Sequence, residues 1–286
     1  MTRITDTVVQ LSDFYWQNDR MEIIGYIASL LIGISLGLIG GGGSILTMPV
    51  MVYLFGVSPV AATSYSLFIV GSTSLVGAAQ QYKRGLVNVR MALLFAGTSI
   101  VTVFLTRLWL LPAIPAHIAT IGGFNITENW LTMVLFALLM LISSIFMMQN
   151  KNRQHTPASV NKKTNLGKMI LFGTGIGLVT GLLGAGGGFL LIPALVLLLH
   201  LPMKEAIGTS LLVIALNSLI GFTGDLHNKG INWPLLLIVT TLAIIGILLG
   251  SYLNRRIAAN KLKKAFGWFV LIMSIYILIT EFVHNQ

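Results

Sequence analysis

The chemistry open to this sequence is concentrated in two glycine clusters and in the hydroxyls and amides that follow them. Gly37-Leu-Ile-Gly-Gly-Gly-Gly-Ser-Ile-Leu-Thr-Met-Pro49 returns as Gly181-Leu-Leu-Gly-Ala-Gly-Gly-Gly-Phe-Leu-Leu-Ile-Pro193, at an offset of 144 residues. The same offset pairs Ser66 with Ser210 and Ser74 with Ser218 without a gap. Clustered glycines break a helix, because they give it no side-chain packing and a high backbone entropy cost. A helix restarting after such a break presents unpaired N–H groups and the positive end of its dipole. Two restarts, near Ser44 and Gly188, would aim the N–H groups of Gly42, Gly43, Ser44, Gly186, Gly187 and Gly188 at one point. That is an anion site made without a buried charge. Pro49 and Pro193 fall early in the restarted helices, where a missing N–H costs least.

Ser66, Ser210 and Asn217 on the following segments would add hydroxyl or amide contacts, and hydrogen bonds to an anion are charge-assisted. Thr63, Ser64, Ser72, Thr73, Ser74, Thr209 and Ser218 belong to the same polar series. The competing account is structural: glycines let membrane helices approach closely, and hydroxyls bond between helices.

The elements that must position these residues are membrane helices. Hydrophobic residues make up 55% of the chain and charged residues 9%, against roughly 25% charged in soluble domains. Apolar residues run from about 23 to 55, broken at Gly40 to Gly43. One helix of that length would be roughly 50 Å long, too long for a hydrocarbon core of roughly 30 Å, and two full spans would be too short. The run therefore predicts a hairpin of two short or re-entrant helices. Spans follow at about 60–81, 89–111 and 130–149, and the second half repeats the plan with a broken element at about 169–200 and spans at 205–223, 233–253 and 265–283. The expected fold is all-α and polytopic, with two repeats, each a glycine-broken hairpin plus three transmembrane helices. Residues 1–21 form an amphipathic or disordered N-terminal segment, 22–149 the first repeat, 150–168 a basic cytoplasmic linker and 169–286 the second repeat.

Charge sets the orientation. Lys83, Arg84 and Arg90, then Lys151, Arg153, Lys162, Lys163 and Lys168, then Arg255, Arg256, Lys261, Lys263 and Lys264 mark three basic loops, which belong on the cytoplasmic side. All three share that side only if each broken element enters and returns. Each repeat then crosses three times, so the repeats are inverted about an axis in the membrane plane. Both termini lie outside in a plasma membrane, in bacteria the inner one. Ionisable residues inside the spans are scarce. Arg107 is expected to snorkel to the outer interface, and Lys204, Glu205, Asp225 and His227 to be solvated at span ends.

The net charge of +10 lies in short loops and offers no face for nucleic acid. The sequence holds no cysteine, and neither a phosphate-binding loop ending in Gly-Lys-Ser/Thr nor a zinc or nucleophile-elbow motif. No catalytic residue, metal ligand or cofactor is assigned, and the chain is not read as an enzyme. The expected partners are a small anion and the lipid bilayer, with a homodimer left open. An anion channel and a non-transporting receptor or assembly subunit are the other readings.

The double motif, Gly37 to Ser44 with Pro49 and its copy ending at Pro193, resembles the signature of the sulfite exporter TauE/SafE family of membrane permeases. The likeness extends from about residue 22 onward and includes the Asn228-Lys-Gly-Ile-Asn232 turn. It implies transport of small sulfur-containing anions such as sulfite, thiosulfate or organosulfonates. It also marks Gly40 to Ser44, Pro49, Gly184 to Gly188 and Pro193 as the motif positions. The first copy has Gly41 and Ser44 where the second has Ala185 and Gly188, so the two half-sites need not contribute equally.

Overall fold

The computed structural model describes residues 22–115, 117–121, 124–148, 166–184, 186–198, 201–225, 231–253 and 259–284. The N-terminal segment 1–21 and linker residues 150–165 lie outside the described residues. The first half comprises α1 (Glu22–Ile39), a 3₁₀ segment (Gly41–Leu46), α2 (Thr47–Tyr53), α3 (Pro59–Tyr82), α4 (Val89–Leu105) with a π turn at Thr106–Leu110, and α5 (Glu128–Met148). The second comprises α6 (Leu166–Leu183), α7 (Gly188–Leu198), α8 (Met203–Thr223), α9 (Trp233–Leu253) and α10 (Ala259–His284). Among the described residues, six helices are long and apolar enough to cross a bilayer, and the chain is a multi-pass membrane protein. The sequence reading did not anticipate the small antiparallel hairpin of β1 (His117–Ile121) and β2 (Phe124–Thr127).

Local chemistry explains where the helices begin and break. Pro59 opens α3 at a first-turn position, where its fixed φ suits a helix and its missing N–H is not needed. Asn88 caps α4 by accepting the Met91 N–H at 3.1 Å, satisfying one of the first-turn donors. At both breaks the helix ends in the same way. The Gly40 N–H donates to Leu36 at 2.8 Å and the Gly184 N–H to Thr180 at 2.9 Å, and both glycines have positive φ, 78° and 65°. That backbone favours glycine.

The first hairpin is the glycine-broken, returning element expected, with limbs of unequal length. With 18 residues, α1 is about 27 Å long. Only the return limb is short, and its leading part is extended by the longer rise of the 3₁₀ segment. The limb returns fully: the rings of Tyr26 and Phe55 pack with centroids 5.4 Å apart, and a methyl group on Gly25 would strike the Phe55 ring.

The two halves interlock. Leu67 of α3 lies against Gly221 of α8, Leu219 against Gly71, and Leu211 against Gly77, so α3 and α8 run antiparallel. The first and last of these contacts are one contact written twice at the 144-residue offset. The hairpins are exchanged: α1 packs on α9 of the other half through Gly33 and Gly37, and α6 packs on α4 through Gly173, Gly177 and Gly181. Both seams are parallel. The helix ends flanking the three basic stretches therefore share one end of the bundle, while the start of α1, the turn after α2 and Asp225 share the other. Met48, Met51, Met133, Phe136 and Met140 are fully buried between the halves.

The seams have no room for side chains. A methyl on Gly33 would lie 2.0 Å from the Ala243 carbonyl oxygen, and one on Gly177 2.6 Å from that of Ser99, whereas Gly175 has nothing within 4 Å. Gly33→Leu and Gly177→Leu should each destabilise the fold by at least about 1–3 kcal/mol through overpacking. Gly175→Leu should stay within about 0.5 kcal/mol. Thermal unfolding of the detergent-solubilised protein measures all three.

Candidate functional site

The two glycine breaks meet in the middle of the protein. A methyl on Gly41 would fall 2.2 Å from the Gly188 Cα, and one on Gly188 2.4 Å from the Gly41 Cα. Backbone therefore touches backbone. Gly43 is folded back onto Ile32 and Leu36, and Gly187 onto Ile176 and Thr180, which places both breaks at the tips of their hairpins. Past the tips the copies diverge. Gly42, Gly43 and Ser44 lie in the 3₁₀ segment, where the Ser44 hydroxyl donates to the Gly41 carbonyl at 2.7 Å. Gly186 and Gly187 instead form a turn with φ of 64° and 62°, and α7 starts at once at Gly188. Pro49 sits in the first turn of α2, but Pro193 is the sixth residue of α7. Its missing N–H thus falls beyond the first turn.

The α3–α8 crossing locates the remaining residues. From the contacts of Leu67, Gly71 and Gly77, its centre falls between residues 72 and 73 of α3 and between 216 and 217 of α8. Thr73, Ser74, Asn217 and Ser218 flank that centre, and all four are fully buried. Each has a polar atom with no partner among the described residues: Thr73 Oγ1, Ser74 Oγ, Asn217 Nδ2 and Ser218 Oγ. Asn217 is held on its other side, its Oδ1 accepting from Ser99 Oγ at 2.8 Å. Gly186 packs at the same level, against Val70, Ile214 and Ser218.

Ser66 and Ser210 are buried but are not brought together. They lie on opposite sides of the crossing, roughly 20 Å apart along the antiparallel axes at 1.5 Å per residue. The Ser210 hydroxyl donates to the Ile207 carbonyl at 2.9 Å, and Ser66 Oγ has no partner among the described residues.

Arg107 and Asp225 depart furthest from the sequence expectation. Arg107 does not snorkel; it is 1% exposed, and Asp225 is 7% exposed rather than solvated. Arg107 Nη1 donates to Asp225 Oδ2 at 2.8 Å, and Ser64 Oγ donates to the same oxygen at 2.6 Å. The π turn at Thr106–Leu110 contains the arginine, and such turns often mark functional positions. Glu205 at the other end is also engaged, accepting from Asn88 Nδ2 at 3.1 Å. The available signal was the scarcity itself: an arginine inside a span and an aspartate at the end of another are candidates for pairing in a low-dielectric interior. A cleft lined by Tyr26, Tyr53, Phe55, Asn232 and Leu235 opens beside the first hairpin, away from the glycine contact.

These groups should respond differently to truncation. Asp225→Ala leaves a buried arginine unpaired and should cost about 3–5 kcal/mol. Ser218→Ala removes a hydroxyl that makes no hydrogen bond among the described residues and should change stability by less than about 0.5 kcal/mol. Equilibrium unfolding in detergent distinguishes the two.

A family model described as sulfite exporter TauE/SafE matches residues 26–277. A probable membrane transporter protein of Xylella fastidiosa (strain Temecula1) is 30% identical over 255 residues, covering 87% of this chain and 91% of the relative. Probable membrane transporter proteins of Bacillus subtilis (strain 168) and Methanocaldococcus jannaschii are 25% identical over 236 residues and 24% over 267. These alignments cover 80% and 88% of this chain and 87% and 94% of the relatives. No solved structure matches. The duplicated glycine breaks, the interlocked helices around them and a family match across nearly all of the described chain lead to one conclusion: the chain belongs to the sulfite exporter TauE/SafE family of membrane transporters.

Proposed function

We propose that the protein carries a small sulfur-containing oxyanion, such as sulfite, thiosulfate or an organosulfonate, by alternating access of two inverted repeats. The observation that carries this reading is the set of buried polar atoms without a partner among the described residues, on Thr73, Ser74, Asn217 and Ser218 at the crossing of α3 and α8. Buried donors without partners are costly, and an anion would satisfy several at once with charge-assisted bonds. The glycine breaks supply the mobile backbone beside this seat, and Gly42, Gly43, Ser44, Gly186, Gly187 and Gly188 donate N–H groups as the hairpin tips part. Ser66 and Ser210, displaced to either side, line the two approaches.

The inverted arrangement is supported by the antiparallel passage of α3 past its own repeat, α8, and by seams that map onto each other when the halves are exchanged. The basic stretches at one end support a cytoplasmic assignment for that end. With it, both termini lie outside in a plasma membrane.

One observation favours a second reading. Gly41 and Gly188 are in van der Waals contact, as expected of a non-transporting membrane subunit in which the glycines serve packing alone. Ligand response separates the two. Sulfite, thiosulfate, taurine, sulfoacetate, sulfate and chloride are each added to the purified protein. One sulfur anion should raise its stability selectively, by about 2.7 kcal/mol at a hundredfold excess over Kd. Asn217→Ala should lose most of that gain. In proteoliposomes the same anion should show saturable counterflow, which a channel does not give. No stabilisation by any of the anions together with no flux would assign the chain to the subunit reading.

A further inference from the structure

The interlocked halves match closely along most of their length, and one level breaks the match. At the 144-residue offset Arg107 corresponds to Ser251, Asp225 to Gln81 and Ser64 to Gly208. The surroundings correspond too. Gly181 packs on Thr106 beside Arg107, as Gly37 packs on the Ser251 backbone, and a methyl on Gly208 would lie 3.2 Å from the Gln81 Cβ. One end of the protein therefore holds a buried ion pair where the other holds a neutral amide and hydroxyl. Gln81 Oε1 and Ser251 Oγ are themselves buried without partners among the described residues.

The charged end is incompletely satisfied. Arg107 uses Nη1 alone, for Asp225 and, at 3.3 Å, for Ser64. Its Nε and Nη2 are buried with no partner among the described residues. Those two N–H groups form the planar edge of the guanidinium that pairs with carboxylate, sulfonate or phosphate oxygens two at a time. The cluster also adjoins the second glycine break, since Thr63 and Thr106, the residues preceding Ser64 and Arg107, abut Gly184 and Gly181. Asp225 and Ser64 hold the fork still by its remaining nitrogen.

We propose that Arg107 is an oxyanion-docking residue on the approach at the end where α3 begins, with Asp225 and Ser64 as positioning residues. At the matching level of the opposite approach, Gln81 and Ser251 offer neutral dipoles. The inference rests on the transport reading and makes the carrier two-faced: its halves are alike, yet at matching levels an anion meets a buried guanidinium on one side and an amide and a hydroxyl on the other.

The test is sulfite and thiosulfate flux in proteoliposomes of defined orientation, with the half-saturation concentration measured separately from each face. Two variants are used. Arg107→Lys keeps the charge and removes the fork, and Arg107→Gln combined with Asp225→Asn removes both charges, so no lone buried ion threatens folding. Half-saturation from the α3-start face should rise about tenfold or more in both variants, while the opposite face changes less than about twofold. Asp225→Glu should fall between the variants and wild type. Unchanged half-saturation at both faces, or an equal rise at both, would overturn the assignment and leave a structural ion pair. Absence of flux and of stabilisation in the wild-type protein itself would instead remove the transport reading, and the docking role with it.

Discussion

A backbone in hydrocarbon cannot leave its N–H and C=O groups unpaired, and the rest of this structure depends on that constraint. Helices meet it along their length but not where they stop, and two of them stop at Gly40 and Gly184, inside the protein. The breaks are tolerable because each is enclosed by the other and by α3, α8 and the opposite half. Gly41 against Gly188, Gly184 against Thr63 and Gly40 against Ile207 are the contacts that keep lipid away from these helix ends. The hairpin tips are thus forced to the centre, where a small polar seat is also easiest to shield.

Enclosure of that kind needs close packing, and lipid supplies no hydrophobic force between helices to drive it. Small residues do the work through contact. Gly33, Gly37, Gly246 and Gly250 on one seam, and Gly173, Gly177 and Gly181 on the other, bring backbones within reach of each other. The polar groups left inside are few, and their neighbours decide their roles. Ser44 and Ser210 donate to carbonyls of their own segments. Ser74 and Ser218, almost identical in chemistry, make no hydrogen bond among the described residues.

The architecture was legible in the sequence because it rests on periodicity and repetition. The 144-residue offset located both breaks, and the apolar runs located the spans to within a few residues. The hairpin proportions were not legible: composition shows that a run is broken but not how long each limb stays helical, and α1 continues to Ile39. The site was only partly legible. Ser66 and Ser210 share a face with Ser74 and Ser218, but a helical face is two turns long here and the antiparallel crossing selects one level of it. Arg107 and Asp225 were misplaced for a related reason. Snorkelling is judged from one helix, while the pairing joins residues 118 positions apart across the interface between halves.

The exchanged seams also bear on how the chain is made. Because the Gly33 and Gly37 face of α1 packs on α9, that face has no partner when it enters the membrane. That partner is synthesised roughly 200 residues later, a delay on the order of 10 to 40 s at ordinary elongation rates. Helix α4 waits far less for α6. The N-terminal hairpin therefore spends the synthesis of most of the protein as an unclosed guest in the bilayer, and neither half is a finished object alone. A duplicated gene of this kind yields a protein whose last-made helices complete its first.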